Sequence, residues 1–98
     1  MADYLIKSDY QIVGRNHLSK IGEIDIIAAK DGVIHFIEVK AKSSTLFGQP
    51  AEMVNRRKRQ KLAKLAQLYM LRHPDTPFQI DVAEVMDGQV KLIENALF

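Results

Sequence analysis

Gly22-Glu23-Ile24-Asp25-Ile26-Ile27-Ala28-Ala29-Lys30, Asp31-Gly32 and Val33-Ile34-His35-Phe36-Ile37-Glu38-Val39-Lys40 form two apolar-rich runs, heavy in β-branched residues, joined by Asp-Gly. That dipeptide between such runs is the strongest short-range hairpin signal. With Asp31 and Gly32 as the turn, Lys30 faces Val33. The same register sets Asp25 opposite Glu38 and Glu23 opposite Lys40, and the two-residue period puts all four side chains on one face. Ile24, Ile26, Val33, Ile37 and Val39 then make the other face apolar, while Ile27, Ile34 and Phe36 keep the acidic face partly apolar.

Two carboxylates facing each other across an antiparallel pair repel, and their Cβ atoms would stand about 4.5–5.5 Å apart. One divalent cation can bridge that gap. Mg²⁺ or Mn²⁺ takes oxygen ligands, typically one or two carboxylates with water and substrate phosphate. A neighbouring lysine can orient the attacking water and offset charge that develops at a phosphodiester. The plainer reading is a cross-strand Glu23–Lys40 ion pair beside two solvated acids, since surface carboxylates are common.

Ninety-eight residues, 47% of them hydrophobic, fit one domain spanning residues 1–98. No cysteine is present, which excludes disulfides and thiolate zinc sites. No apolar run is long enough for a membrane span, and the start lacks a secretory leader's layout, so a cytoplasmic protein without membrane partners is expected. Net charge is only +2, so its distribution matters more than its sum.

Before the hairpin, Ala2 to Ser8 reads as a short helix and Tyr10-Gln11-Ile12-Val13 as the start of a strand, with a turn over Ser19 to Gly22. After it, Ala41 to Pro50 is a polar connector, either a loop closing over substrate or a plain strand-to-helix crossover. From about Ala51 to His73 the pattern is helical, stopped by Pro74. Leu62, Leu65, Ala66, Leu68, Tyr69 and Leu71 supply its core stripe. Arg56, Arg57, Lys58, Arg59, Lys61 and Lys64 crowd six cations into nine residues. They are either a solvated face or a patch that tracks phosphates, with the salt dependence such contacts bring. Phe78 to Met86 alternates as a strand, Asp87-Gly88 repeats the hairpin signal, and Gln89 to Glu94 returns. Asp81 is either a further acid near the site or a polar partner for the helix. His35, on the face away from Glu38, reads as a hydrogen-bonded core residue, and Ala96-Leu97-Phe98 as an apolar tail packed on the sheet or on a partner chain.

In order, this is an α/β chain with a central mixed sheet of about five strands (β-hairpin, long helix, β-hairpin) and flanking helices. It resembles the restriction-endonuclease-like core of the PD-(D/E)xK nuclease superfamily. More narrowly it is similar to the YraN family of uncharacterised bacterial proteins, whose functional relatives are archaeal Holliday-junction resolvases. The match rests on Asn16, Gly22 to Ala28, Phe36 to Lys40, Phe47-Gly48-Gln49-Pro50, the Lys58 to Tyr69 helix, Asp81-Val82 and Ala96-Leu97-Phe98. The resemblance implies a Mg²⁺- or Mn²⁺-dependent endonuclease on structured or branched DNA. Asp25, Glu38 and the backbone carbonyl of Val39 would be metal ligands and Lys40 the catalytic lysine, with Glu23 and Gln49 assisting. Arg56, Arg57, Lys58, Arg59, Lys61 and Lys42 would meet nucleic acid, and a homodimer would set two sites against two strands. Ile24 stands where the superfamily has proline, and Lys42 and Gln79 where the family usually has arginine. The family's fuller amino-terminal helix, with its glutamate, has no counterpart here. The alternatives are a nucleic-acid-binding module with this fold and no turnover, and a protein-interaction domain.

Overall fold

The computed structural model describes residues 1–41 and 51–96, with backbone alone over 51–59. Lys42, Gln49, the side chains of Arg56, Arg57, Lys58 and Arg59, and the closing Leu97-Phe98 therefore lie outside the described residues. In chain order the elements are α1 (Ala2–Lys7), β1 (Gln11–Ser19), β2 (Gly22–Lys30), β3 (Val33–Ala41), α2 (Ala51–Met70), β4 (Phe78–Met86) and β5 (Gln89–Ile93).

The strands form one sheet in the order β1-β2-β3-β4-β5. Neighbours are antiparallel except β3 and β4, which run parallel. Parallel neighbours need a long crossover, and α2 provides it. The result is a mixed α/β architecture consistent with a restriction-endonuclease-like fold. Among the described residues, no helix is long and apolar enough to cross a membrane.

Both Asp-Gly pairs make the turns expected of them. Asp31 and Gly32 have φ of 52° and 78°, and Asp87 and Gly88 have 51° and 77°. Two consecutive left-handed residues define the type I′ turn, whose twist matches that of the flanking strands. Lys30 accordingly faces Val33, and pairing continues up to Ile26 with Ile37.

The two faces of the sheet bury separate clusters. On one face Ile24, Ile27, Phe36 and Ile80 meet Leu62, Leu65, Ala66 and Met70 of α2. On the other, Ile26, Ala28, Ile37 and Ala83 meet Leu5 of α1 and Tyr10. Each fully buried aliphatic or phenyl side chain contributes about 1.5–3 kcal/mol. That exceeds the few tenths of a kcal/mol from a charge pair on a helix surface, so the apolar stripe, not the cationic run, sets how α2 lies. Leu68 and Leu71, read as part of that stripe, are instead exposed, because at 3.6 residues per turn they fall about 120° and 180° round the helix from Leu62.

Ile24 departs from the alternation read in the sequence. It packs under α2, whereas Ile26, two residues on, packs with α1. The neighbouring strand turns over at the same level. Arg15 pairs with Ile26 and His17 with Ile24, so Asn16 falls opposite Asp25, and Asn16 has φ of 48°. A left-handed residue within a strand reverses the sense in which the following side chains point, and Asn tolerates that conformation better than most. His17 confirms the turn-over by stacking edge-on against Tyr69 of α2, with centroids 5.5 Å apart.

Helix α2 ends at Met70 rather than at His73. Leu71, Arg72 and His73 bond back to Leu68, Tyr69 and Met70, three residues behind each donor. Such tightened bonds close a helix end, and Pro74 bars His73 from the α conformation.

Candidate active site

Glu23, Asp25 and Glu38 line one cleft of about 200 Å³ between the open end of the β2–β3 hairpin and α2, whose Lys61, Leu62 and Leu65 form the opposite wall. Three carboxylates and one ammonium are thus gathered beside two leucines.

The cleft exists because the β2–β3 ladder opens there. In an unbroken ladder the hydrogen-bonded pair after Ile26–Ile37 would be Ile24–Val39. Instead, the Val39 N–H donates to Asp25 Oδ2 at 2.9 Å. A side-chain carboxylate has taken the place of a backbone carbonyl. The direct Asp25–Glu38 cross-strand pair expected from the sequence is therefore not part of the ladder, which stops one step earlier. Both side chains nonetheless border the same space, half-buried, with Glu38 Oε2 enclosed by protein.

Lys61 reaches the cleft across Gly22. A Cβ on Gly22 would lie 2.8 Å from Lys61 Cε and 3.3 Å from Leu65 Cδ1. The absent side chain lets the lysine stem lie against the start of β2. In the sequence Lys61 belongs to a run of cations that is either a solvated face or a phosphate-tracking patch; its place in the cleft rests on a tertiary contact with Gly22 that the run does not signal. Lys40 is not among the residues lining the cleft; it is half-buried, with Glu84 of β4 as its neighbour in register. Val39 packs against the α1-face cluster.

Asp81 stands apart from these acids. It is fully buried on the α1 face, where Oδ2 meets His35 Nδ1 at 2.7 Å. Oδ1 accepts from Gln79 Nε2 at 2.8 Å and from the Asn95 N–H at 3.0 Å. Of the two roles read for Asp81, neither the further acid of the cleft nor a partner for α2 matches, because the sheet separates it from both. His35 is the hydrogen-bonded core residue expected.

The donor set of the cleft fits a hard divalent cation. It consists of carboxylate oxygens without imidazole or thiolate, the chemistry Mg²⁺ and Mn²⁺ accept. Asp25 keeps Oδ1 for such a role while Oδ2 holds Val39.

The family model described as "Uncharacterised protein family UPF0102" matches residues 1–85. A UPF0102 protein of Clostridium botulinum (strain 657 / Type Ba4) is 43% identical over 97% of this chain and 85% of its own length. One of Alkaliphilus metalliredigens (strain QYMF) is 42% identical over 95% of this chain and 83% of the relative. One of Thermodesulfovibrio yellowstonii is 42% identical over 98% and 87% respectively.

Proposed function

This chain belongs to the uncharacterised protein family UPF0102, and we propose that it is a cytoplasmic, Mg²⁺- or Mn²⁺-dependent endonuclease that hydrolyses phosphodiesters of structured or branched DNA. The observation that carries this reading is the shared cleft of Asp25 and Glu38 at the place where β2 and β3 part.

In this reading Asp25, Glu38 and the Val39 carbonyl hold the ion. When bound, it supplies Lewis acidity towards a phosphate oxygen and a water of lowered pKa. The Val39 N–H fixes the Asp25 carboxylate, so its free oxygen is positioned before substrate arrives. Lys40, at the end of β3, and Lys61, from the opposite wall, offset negative charge at the phosphate, with Glu23 and Gln49 assisting. Arg56, Arg57, Lys58 and Arg59 with Lys42 contact the nucleic-acid backbone. A homodimer sets two clefts against two strands.

Labelled duplex, flap and four-way-junction DNA incubated with the protein and Mg²⁺ or Mn²⁺ tests the proposal. Cleavage that Asp25→Ala abolishes is expected. Absence of cleavage by the wild type, or equal cleavage by the variant, overturns it.

One observation favours a second reading, a DNA-binding module without turnover. Among the described residues, the group of three acids or histidines whose ligand atoms all lie within 4.8 Å is His35, Asp81 and Glu94, not the trio of the cleft. This reading expects salt-sensitive DNA binding that survives Glu38→Ala.

A further inference from the structure

On the sheet face opposite the cleft, β3, β4 and the end of β5 bring together an imidazole and two carboxylates. One ligand atom each from His35, Asp81 and Glu94 lies within 4.8 Å of the others. His35 and Asp81 are buried, and Glu94 is exposed at the mouth. We propose that these three residues form a divalent-metal site of their own, independent of the acidic cleft and selective for Zn²⁺ over Mg²⁺.

The ligand types set the selectivity. A nitrogen donor with two carboxylates suits Zn²⁺, whereas Mg²⁺ prefers an all-oxygen octahedron that keeps several waters. The spacing suits a four-coordinate ion as well. Zinc bonds of ~2.0–2.1 Å place tetrahedral ligand atoms roughly 3.3 Å apart. The 2.7 Å His35–Asp81 contact widens slightly to reach that value, and Glu94, being exposed, swings inward. A water completes the shell from the open side.

The surroundings resemble the outer support of a metal site. Asp81 Oδ1 is fixed by Gln79 Nε2 and by the Asn95 N–H, which leaves Oδ2 directed at His35. Hydrogen bonds of this kind orient ligating carboxylates. Tyr10 closes another side, its ring edge-on to His35 at 5.0 Å. A cation between Asp81 and Glu94 would offset the repulsion of two neighbouring carboxylates.

Calorimetric titration of the full chain with ZnCl₂ tests this. The wild type is expected to bind one equivalent at this site, with affinity unaffected by Glu38→Gln and by excess Mg²⁺. Glu94→Gln, which changes an exposed side chain and is expected to leave the circular-dichroism spectrum unchanged, is expected to weaken binding at least about tenfold. Substitution by Co²⁺ gives a visible absorption band for the mixed N/O shell, lost in His35→Ala. No zinc binding by the wild type, wild-type affinity in Glu94→Gln, displacement by Mg²⁺, or loss of binding in Glu38→Gln each overturns the proposal. Because none of these readouts depends on DNA cleavage, this site and the nuclease reading fail or stand separately.

Discussion

Asp25 Oδ2 accepts the backbone N–H of Val39 at 2.9 Å, so a candidate metal ligand also holds the β2–β3 pair together where their ladder has opened. The two roles separate by substitution. Asp25→Asn keeps an acceptor oxygen and is expected to unfold in urea within about 1 kcal/mol of the wild type. Asp25→Ala leaves the half-buried N–H without its acceptor and is expected to lose roughly 1–3 kcal/mol. Both are expected to lose Mn²⁺ binding at the cleft, measured by calorimetry. Equal stability of Asn and Ala variants would show that the hydrogen bond contributes nothing.

Gly22 sits under Lys61 with φ of 156°, and an added Cβ would meet Lys61 Cε at 2.8 Å. Gly22→Ala is expected to cost about 1–3 kcal/mol, part from backbone strain and part from displaced side chains. The lysine stem is flexible, so it moves first and leaves the cleft. Combining Gly22→Ala with Lys61→Ala removes the lysine's share of the steric part and leaves the contact with Leu65 Cδ1. A double-mutant cycle is therefore expected to show coupling of roughly 0.5–1 kcal/mol, with the strain remaining. Strict additivity would mean that the two residues do not touch in solution.

The hairpins were legible because Asp-Gly dictates a turn from two adjacent residues, and the left-handed φ values at Asp31, Gly32, Asp87 and Gly88 are the local consequence. The apolar stripe of α2 was legible only in part: Leu62, Leu65 and Ala66 are buried and Tyr69 packs against them, whereas Leu68 and Leu71 are exposed. Ile24 was placed on the wrong face because strict alternation carries through a strand only while every residue stays extended. Here the alternation breaks between Ile24 and Ile26, at the level where Asn16 of the partner strand is left-handed. The partner of His35 was equally hidden. It depends on the parallel register that sets Ile37 beside Asp81, and that register follows from how the crossover helix docks. The gathering of Glu23, Asp25 and Glu38 was readable in outline from hairpin arithmetic, but the opened ladder that makes room between them was not. It arises from a side chain competing with a carbonyl for one N–H.

Asp81 is fully buried and accepts from three donors on three segments: His35, Gln79 and Asn95. Asp81→Ala is expected to destabilise by roughly 3 kcal/mol or more, since hydrogen bonds to a charged acceptor are worth about 1.5–3 kcal/mol each and the stranded donors add their own penalty. Chemical denaturation measures it. Gln79→Ala, which removes one of the three donors and leaves the acceptor served by two, is expected to cost under about 1.5 kcal/mol.

Tyr10 gives the protein an alkaline weakness. Burial, then Glu94 and Asp81, raise its hydroxyl pKa in the folded state, so the folded form keeps its proton more firmly than the unfolded chain. The stability this confers is whole below the unfolded value of about 10 and is lost as pH rises through the higher folded value. Tyr10→Phe retains the ring beneath Lys30 Nζ, 4.8 Å from its centroid, but has nothing to ionise. Its urea midpoint is expected to fall less steeply than the wild type's above about pH 10. Parallel curves would place the alkaline loss elsewhere.

The cationic run along α2 makes a prediction that tests DNA contact apart from catalysis. Of Arg56, Arg57, Lys58, Arg59 and Lys61, Arg56 alone has a carboxylate three or four residues away in sequence, Glu52, so helical neighbours cannot neutralise the run. If these side chains meet phosphates, each contact releases a counterion, and log affinity falls with log salt by about 0.9 per phosphate neutralised on duplex DNA. Replacing Arg56, Arg57, Lys58 and Arg59 by glutamine is expected to reduce that slope by roughly two to four units and to weaken binding alike on duplex, flap and junction. Lys61→Gln is expected to differ. Its side chain borders the acidic cleft, so its loss is expected to lower cleavage more than binding. Fluorescence anisotropy at several salt concentrations gives the slopes, and a gel-based cleavage assay gives the comparison for Lys61. A slope unchanged in the fourfold variant would remove α2 from the DNA interface and leave the cleft without its proposed approach.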